Sequence, residues 1–193
     1  DYGNILDGLL SALHRIALAQ VVPDAVDNSF GDRDSIAGLA GADTLEGGDG
    51  NDTLTGGTDN DILFGGAGFD VLNGTSGTNT LDGGAGRDEL RGGAGDDVYI
   101  LSSTDSGGNA LQAESDDVIV EAADGGVDTV SSASGDVTLG ANLENATLTG
   151  SAALNATGNA LDNTLAGNSG DNILTGAGGD DHLLGSGGAD TAV

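Results

Sequence analysis

Residues 47–73 read GGDGNDTLT, GGTDNDILF and GGAGFDVLN, which are three consecutive copies of one nine-residue pattern. Each copy opens with two glycines, carries aspartate at its sixth position and has leucine at its eighth. A short period held in tandem is typical of solenoids, because each repeat buries its apolar residue only by stacking on its neighbours. This stretch therefore predicts a repetitive fold.

The nine-residue frame extends beyond this stretch. It continues as GTSGTNTLD, GGAGRDELR and GGAGDDVYI over residues 74–100, and it reaches back to residue 38 with a weaker copy before it. A second block of four looser copies, in a new register, covers residues 158–193. Residues 102–157 lose the frame but keep short β-type runs, which indicate irregular solenoid turns. We expect one continuous stack.

Two positions of the repeat form ladders along the chain. The eighth position of the first block is always large and apolar: Ile36, Leu45, Leu54, Leu63, Leu72, Leu81, Leu90 and Tyr99. The sixth position is an aspartate or asparagine: Asp34, Asp43, Asp52, Asp61, Asp70, Asn79, Asp88 and Asp97, then Asn163, Asn172, Asp181 and Asp190. In each repeat a turn is followed by a short strand whose middle residue faces inward, which makes a half-coil. Two half-coils make one flattened coil, so we expect an all-β fold with parallel strands around a thin core of leucines.

The turns have the composition of calcium sites. Glycines let backbone carbonyls converge, and calcium takes six to eight oxygen ligands at about 2.3–2.6 Å. One turn supplies part of that set, and the equivalent turn two repeats along the chain supplies the rest. The predicted pairs are Asp34 with Asp52, Asp43 with Asp61, Asp52 with Asp70, Asp61 with Asn79, Asp70 with Asp88, Asn79 with Asp97, Asn163 with Asp181 and Asn172 with Asp190. Filling all of them takes roughly eight calcium ions.

Charge and composition favour the same interpretation. The chain has 32 acidic and 4 basic residues, a formal net charge of -28, 37 glycines and only 3% aromatic residues. Without cations such a chain lies close to the disordered class, so we expect calcium to drive folding. Nucleic acids and anionic membranes are poor partners for such a surface because of their like charge, and no apolar run is long enough for a membrane span.

The repeats resemble the repeats-in-toxin (RTX), haemolysin-type calcium-binding nonapeptide G-G-x-G-x-D-x-U-x, where U is a large apolar residue. The resemblance implies a right-handed parallel β-roll, export through a type I secretion channel, and an extracellular or cell-surface location. It also implies calcium ligation by sixth-position aspartates and by second- and fourth-position carbonyls. Those carbonyls belong here to Gly48, Gly50, Gly57, Asp59, Gly66, Gly68, Gly84, Gly86, Gly93 and Gly95. Leu39, Thr75 and the three asparagines depart from the pattern, so we expect weaker or missing ions there.

The N-terminal residues differ in kind. Ile5, Leu6, Leu9, Leu10, Leu13, Ile16 and Ala17 recur at spacings of three and four, which is typical of an amphipathic helix. We interpret it as a cap or linker rather than a membrane-surface helix. The predicted organisation is a helical segment at 1–30, a first calcium-binding block at 31–101, a spacer at 102–157 and a second calcium-binding block at 158–193.

Catalysis is not predicted. The chain has no H-E-x-x-H or G-x-S-x-G motif, and its two histidines, His14 and His182, lie in unrelated contexts. A flexible acidic linker would not need an apolar residue at every eighth position. We therefore expect a calcium-folded module covalently attached to a larger secreted protein. The alternative is a self-assembling extracellular structural protein of a surface layer, matrix or adhesin, in which the rolls associate head to tail.

Overall fold

The computed structural model describes residues 35–101 and 117–193. The predicted N-terminal helix and Asp34 lie outside these residues, as does the first part of the spacer. Throughout the described residues the chain is an all-β parallel solenoid. Its strands are β1 Ser35–Ala40, β2 Thr44–Asp49, β3 Thr53–Thr58, β4 Ile62–Gly68, β5 Val71–Ser76, β6 Thr80–Gly86, β7 Glu89–Ala94, β8 Val98–Leu101, β9 Val118–Ile119, β10 Thr129–Ser132, β11 Val137–Thr138, β12 Asn145–Leu148, β13 Ala156–Thr157, β14 Thr164–Ala166, β15 Ile173–Thr175, β16 His182–Leu184 and β17 Thr191–Ala192.

Alternate strands build opposite faces of the solenoid. The even-numbered strands β2 to β16 form one eight-stranded parallel sheet that runs through the first block, the spacer and the second block. The odd-numbered strands form a five-stranded sheet, β1 to β9, and a four-stranded sheet, β11 to β17. The two blocks thus belong to one stack, as expected, and the ladder breaks on one face only, between β9 and β11.

The register follows the repeat in both blocks. Leu45 pairs with Leu63, and Leu63 with Leu81, so each step from coil to coil spans two repeats. In the even sheet the step becomes much longer between Val98 and Thr129, and the following steps, to Asn145 and then to Thr164, are again close to two repeats. The spacer therefore makes irregular solenoid turns whose length varies while the strand positions are kept.

Strands of the first block are longer than predicted. A short strand was expected in each repeat, but β2 to β7 have six or seven residues, because pairing continues through the opening glycines, as between Gly48 and Gly66. Strands β14 to β16 of the second block have three residues each, as the repeat predicts.

The core is the predicted ladder of eighth-position side chains. The side chains of Leu54, Leu63, Leu72, Leu81, Leu90 and Tyr99 are fully buried. Val130, Ala146 and Leu165 continue this row beneath the even sheet, and Val137, Ala156 and Leu174 lie beneath the other face. A core this thin brings the turns of successive coils into direct contact, which is where the candidate sites lie.

Candidate calcium sites between the coils

The sixth-position side chains join successive coils. Oδ1 of Asp70 accepts a hydrogen bond from the backbone N–H of Asp52 at 2.7 Å, and Oδ1 of Asp88 accepts one from Asp70 at 2.7 Å. Every predicted pair within the described residues is connected in this way, the others being Asp43 with Asp61, Asp61 with Asn79, Asn79 with Asp97, Asn163 with Asp181 and Asn172 with Asp190. The two-repeat spacing thus brings together the residues that it predicted.

The second carboxylate oxygen has a different environment. Oδ2 of Asp61, Asp70, Asp88 and Asp97 is buried in each case, and no hydrogen-bond donor reaches it from the described part of the chain. A buried carboxylate oxygen without a partner costs free energy, on the order of 1–3 kcal/mol or more. Repetition of this cost in successive coils indicates a missing positive partner.

Asn79 shows which atoms surround the second terminal side-chain atom, which is Oδ2 in aspartate and Nδ2 in this asparagine. Its Nδ2 donates to the carbonyl oxygen of Gly77 at 3.2 Å and to that of Gly92 at 3.4 Å. Where aspartate stands at the sixth position, an anionic oxygen takes the place of this amide donor beside the carbonyl oxygens. An oxygen-only set of this kind suits a hard cation such as calcium. The residues present therefore fit a calcium ion.

The carbonyls of the second and fourth positions face the next coil. Gly66 and Gly68 have φ of +111° and +144°, and a Cβ added to either would collide with the carbonyl oxygen of Gly48 or Gly50 in the coil before. All ten residues predicted to ligate through their carbonyls have φ between +78° and +144°. Leu39 and Thr75, expected to disturb the turn, keep positive φ values of +82° and +87°. The turn conformation is thus retained at these departures, with backbone strain.

A family model for the RTX calcium-binding nonapeptide repeat matches this chain in four copies, at residues 30–63, 37–72, 73–102 and 157–192. Together the copies cover more than half of the 193 residues. The chain belongs to the RTX calcium-binding repeat family. Neither a curated protein nor a solved structure gives a match. Among the described residues, no helix has the length and apolar character needed to cross a membrane.

Burial of the RTX aspartates disfavours their charged form. It raises the pKa of Asp70 and Asp97 to about 6, from an ordinary value of 3.8. Burial also raises the pKa of Asp61 and Asp88. Neighbouring carboxylates add to the effect, as Asp88 and Asp52 do at Asp70, whereas the backbone hydrogen bond from Asp52 opposes it. A bound divalent cation would reverse this balance, because it favours the ionised carboxylates.

The asparagine side chains of the second block are oriented differently from that of Asn79. Oδ1 of Asn163 accepts from the N–H of Asn159 at 2.7 Å, and Oδ1 of Asn172 accepts from that of Asn168 at 2.9 Å. Nδ2 of Asn163 donates to the carbonyl oxygens of Leu143 at 3.2 Å and Glu144 at 3.1 Å. Nδ2 of Asn172 donates to the carbonyl oxygen of Leu154 at 2.7 Å. These hydrogen bonds join the RTX turns of the second block to the coil before through a neutral side chain.

The spacer contains further members of the ladder that the nine-residue frame did not predict. Oδ1 of Asp117 accepts from the N–H of Asp88 at 2.9 Å, and Oδ1 of Asp128 accepts from Asp97 at 2.8 Å. Glu144 then accepts from the N–H of Asp128 at 2.9 Å. A weaker signal was present in the sequence: each acid precedes an inward-facing residue by two positions, as Asp128 precedes Val130.

A second ladder, at the fifth position, was also not predicted. Oδ1 of Asn51 accepts from the N–H of Phe69 at 2.9 Å, and Oδ1 of Asn60 accepts from Thr78 at 2.8 Å. Asp96, Asp162 and Asp171 make the same bond with the following coil. These bonds run in the direction opposite to those of the sixth position, so the outer part of the turn is joined to both neighbouring coils without a metal ion.

Proposed function

We propose that this chain is a calcium-binding module of a secreted protein, which folds on binding calcium outside the cell and supports type I secretion and stability of the parent protein. The observation that carries the proposal is the row of buried, donor-free Oδ2 atoms at Asp61, Asp70, Asp88 and Asp97 within the described residues. RTX repeats bind calcium and are typical of secreted proteins.

Each proposed ion lies between two coils. Its ligands are Oδ2 of a sixth-position aspartate and carbonyl oxygens of the second and fourth positions, including those of Gly48, Gly50, Gly66 and Gly68. An ion in this position neutralises carboxylates that burial alone disfavours, and it connects the turn of one coil with that of the next. Calcium binding and folding are then a single equilibrium.

We further propose that the ions concentrate in the first block, residues 31–101. Nδ2 of Asn79 already donates to the carbonyl oxygens around it, and Oδ1 of both Asn163 and Asn172 already accepts a backbone N–H, so an ion at these turns would have to displace hydrogen bonds. Asp181 and Asp190 are only partly buried or exposed, and their charge is accessible to solvent. The ion count is therefore expected below the roughly eight that spacing alone allows.

A calcium titration followed by far-ultraviolet circular dichroism tests the proposal, with magnesium as the control ion. A cooperative increase in β-signal with calcium, absent with magnesium, is the expected result. Magnesium prefers a smaller octahedral site and keeps its water ligands, so carbonyl-rich turns suit it poorly. A β-spectrum that neither calcium nor a chelator alters would contradict the proposal.

A further inference from the structure

A group of three carboxylates lies where the repeat is interrupted, at the lengthened step between β8 and β10. Carboxylate oxygens of Asp97, Glu121 and Asp128 lie within 4.8 Å of one another. Asp97 closes the last turn of the first block and Asp128 is its partner in the next coil of the same face. Glu121 lies in the turn that leads to β10 and belongs to no nonapeptide copy.

Buried, unpartnered oxygens point into this group. Asp97 and Asp128 are 1% and 0% exposed, and Oδ2 of each has no hydrogen-bond partner among residues 35–101 and 117–193. Oδ1 of each is already used by the ladder, at 2.7 Å from the N–H of Asn79 and 2.8 Å from that of Asp97. The two Oδ2 atoms are therefore the ones left for a ligand.

Tyr99 connects Glu121 with the site. It stands at an eighth position, where the rest of the first block has leucine or isoleucine, and its hydroxyl donates a hydrogen bond to the Glu121 carboxylate. The same hydroxyl accepts from the N–H of Gly92 at 2.8 Å. A Cβ added to Gly92 would contact both Oδ2 of Asp97 and the Tyr99 hydroxyl. The buried phenol thus fixes Glu121 beside Asp97, which makes Tyr99 a positioning residue.

The charges around the group are of one sign. Burial raises the pKa of Asp128, and its charged neighbours Glu121, Asp97 and Glu144, all of them carboxylates, raise it further. Glu144 also accepts the N–H of Asp128 at 2.9 Å. Three carboxylates at this separation are stable together only with a cation or a shared proton. Oxygen donors alone select a hard ion.

We propose that the calcium ion at Asp97, the last of the row in the first block, is held by Glu121 and Asp128 from outside the nonapeptide copies, positioned by Tyr99, and that this site joins the first block to the spacer. The choice of calcium as the ion rests on the proposed function of the repeats. The site lies at the longest step of the even sheet.

Terbium luminescence tests this site directly, because a tyrosine adjacent to bound Tb³⁺ sensitises its emission. The chain has no tryptophan and two tyrosines, Tyr2 and Tyr99. In a Tyr2→Phe background, excitation of Tyr99 should produce emission that calcium displaces. Glu121→Gln, which keeps the shape of the side chain, should reduce the emission at least about tenfold and remove one calcium from the stoichiometry measured by calorimetry.

Two further variants separate the possible outcomes. Asp128→Asn repeats the test with an asparagine, a residue that already occurs in the sixth-position ladder, for example at Asn79. This variant should therefore fold and should also lose the emission. Asp61→Asn, two coils away, should lower the calcium stoichiometry and leave the emission unchanged. Full emission and an unchanged ion count in both Glu121→Gln and Asp128→Asn would overturn this site alone. An ion count unaffected by Asp61→Asn as well would overturn the proposed function.

Discussion

Replacing Asp70 by asparagine should have opposite effects with and without calcium. The Asp70 side chain is 1% exposed, its Oδ1 accepts from the Asp52 N–H, and its Oδ2 has no donor within the described residues. A Cβ at Gly65 would meet both that Oδ2 and the carbonyl oxygen of Gly83. Asn79 has the equivalent surroundings and uses its Nδ2 to donate to Gly92. Asp70→Asn should therefore form the same hydrogen bond with Gly83.

The size of the effect follows from the pKa. Burial raises the pKa of Asp70 from 3.8 to about 6 in the metal-free fold. Because the folded-state pKa is the higher one, ionisation destabilises the fold. The penalty is absent below pH 3.8, grows between 3.8 and 6, and is complete above 6, where it amounts to about 3 kcal/mol. At pH 7.5 Asp70→Asn should stabilise the metal-free roll by up to about that amount.

Circular dichroism in chelator and urea denaturation in saturating calcium, both at pH 7.5, measure the two effects. In chelator the β-signal of Asp70→Asn should exceed that of the wild type. In calcium the urea midpoint of the variant should be lower, because one ion is lost. Asp49→Asn is the matched control, since it removes the same charge from an exposed position of a neighbouring turn. A β-signal of the variant in chelator no larger than that of the wild type would refute the assignment of Oδ2 as an unsatisfied anion.

Three further outcomes are expected. Acidifying the metal-free chain from pH 8 to pH 5 should increase the β-signal in circular dichroism. Burial raises the pKa of carboxyls such as that of Asp128, to about 7 from 3.8, and protonation removes the free-energy cost of burying their charge. An unchanged β-signal would contradict this. In calcium, Leu81→Ala should lower the free energy of unfolding by about 2–5 kcal/mol, whereas Leu161→Ala, at a 41% exposed position, should change it by less than about 0.5 kcal/mol; equal losses in urea denaturation would argue against the thin leucine core. Gly66→Ala should weaken calcium binding in calorimetry about tenfold or more, since alanine is strained at φ +111° and its Cβ collides with the coil before. The control Gly140→Ala, whose Cβ would meet only a side-chain carbon at 3.7 Å, should bind calcium as the wild type does.

The nine-residue period predicted the parallel stack and the pairing of residues two repeats apart. It did so because both ladders follow from one geometric repeat: an inward side chain such as Leu63 and a turn acid such as Asp61 recur at fixed positions. The prediction that strands stop before the opening glycines was wrong in the first block, as the pairing of Gly48 with Gly66 shows. Glycine has no side chain that favours a strand, so the sequence does not indicate that these glycines pair with those of the neighbouring coil.

The spacer was less predictable because equivalent residues of its coils stack on one another although the number of residues between them varies. Glu121 and Asp128 join Asp97 only after an insertion has lengthened the step from one coil to the next. No period can indicate such a contact. Likewise, the sequence treats Asn163 as a weaker version of aspartate, whereas its Nδ2 binds two carbonyl oxygens that an anion would repel.

The hydrogen bonds of the sixth position give the stack a polarity. In the predicted sixth-position pairs of the described residues, the coil nearer the C-terminus contributes a carboxylate or amide oxygen, as Asp88 does, and the preceding coil contributes a backbone N–H, as Asp70 does. A cut between two such coils therefore exposes two unlike surfaces: one presents acceptors at the sixth position and donors at the fifth, and the other presents the reverse. Two like surfaces would repel each other or leave donors unsatisfied, so coils can be added in only one orientation. A fold held together by many similar repeats thereby avoids a reversed arrangement.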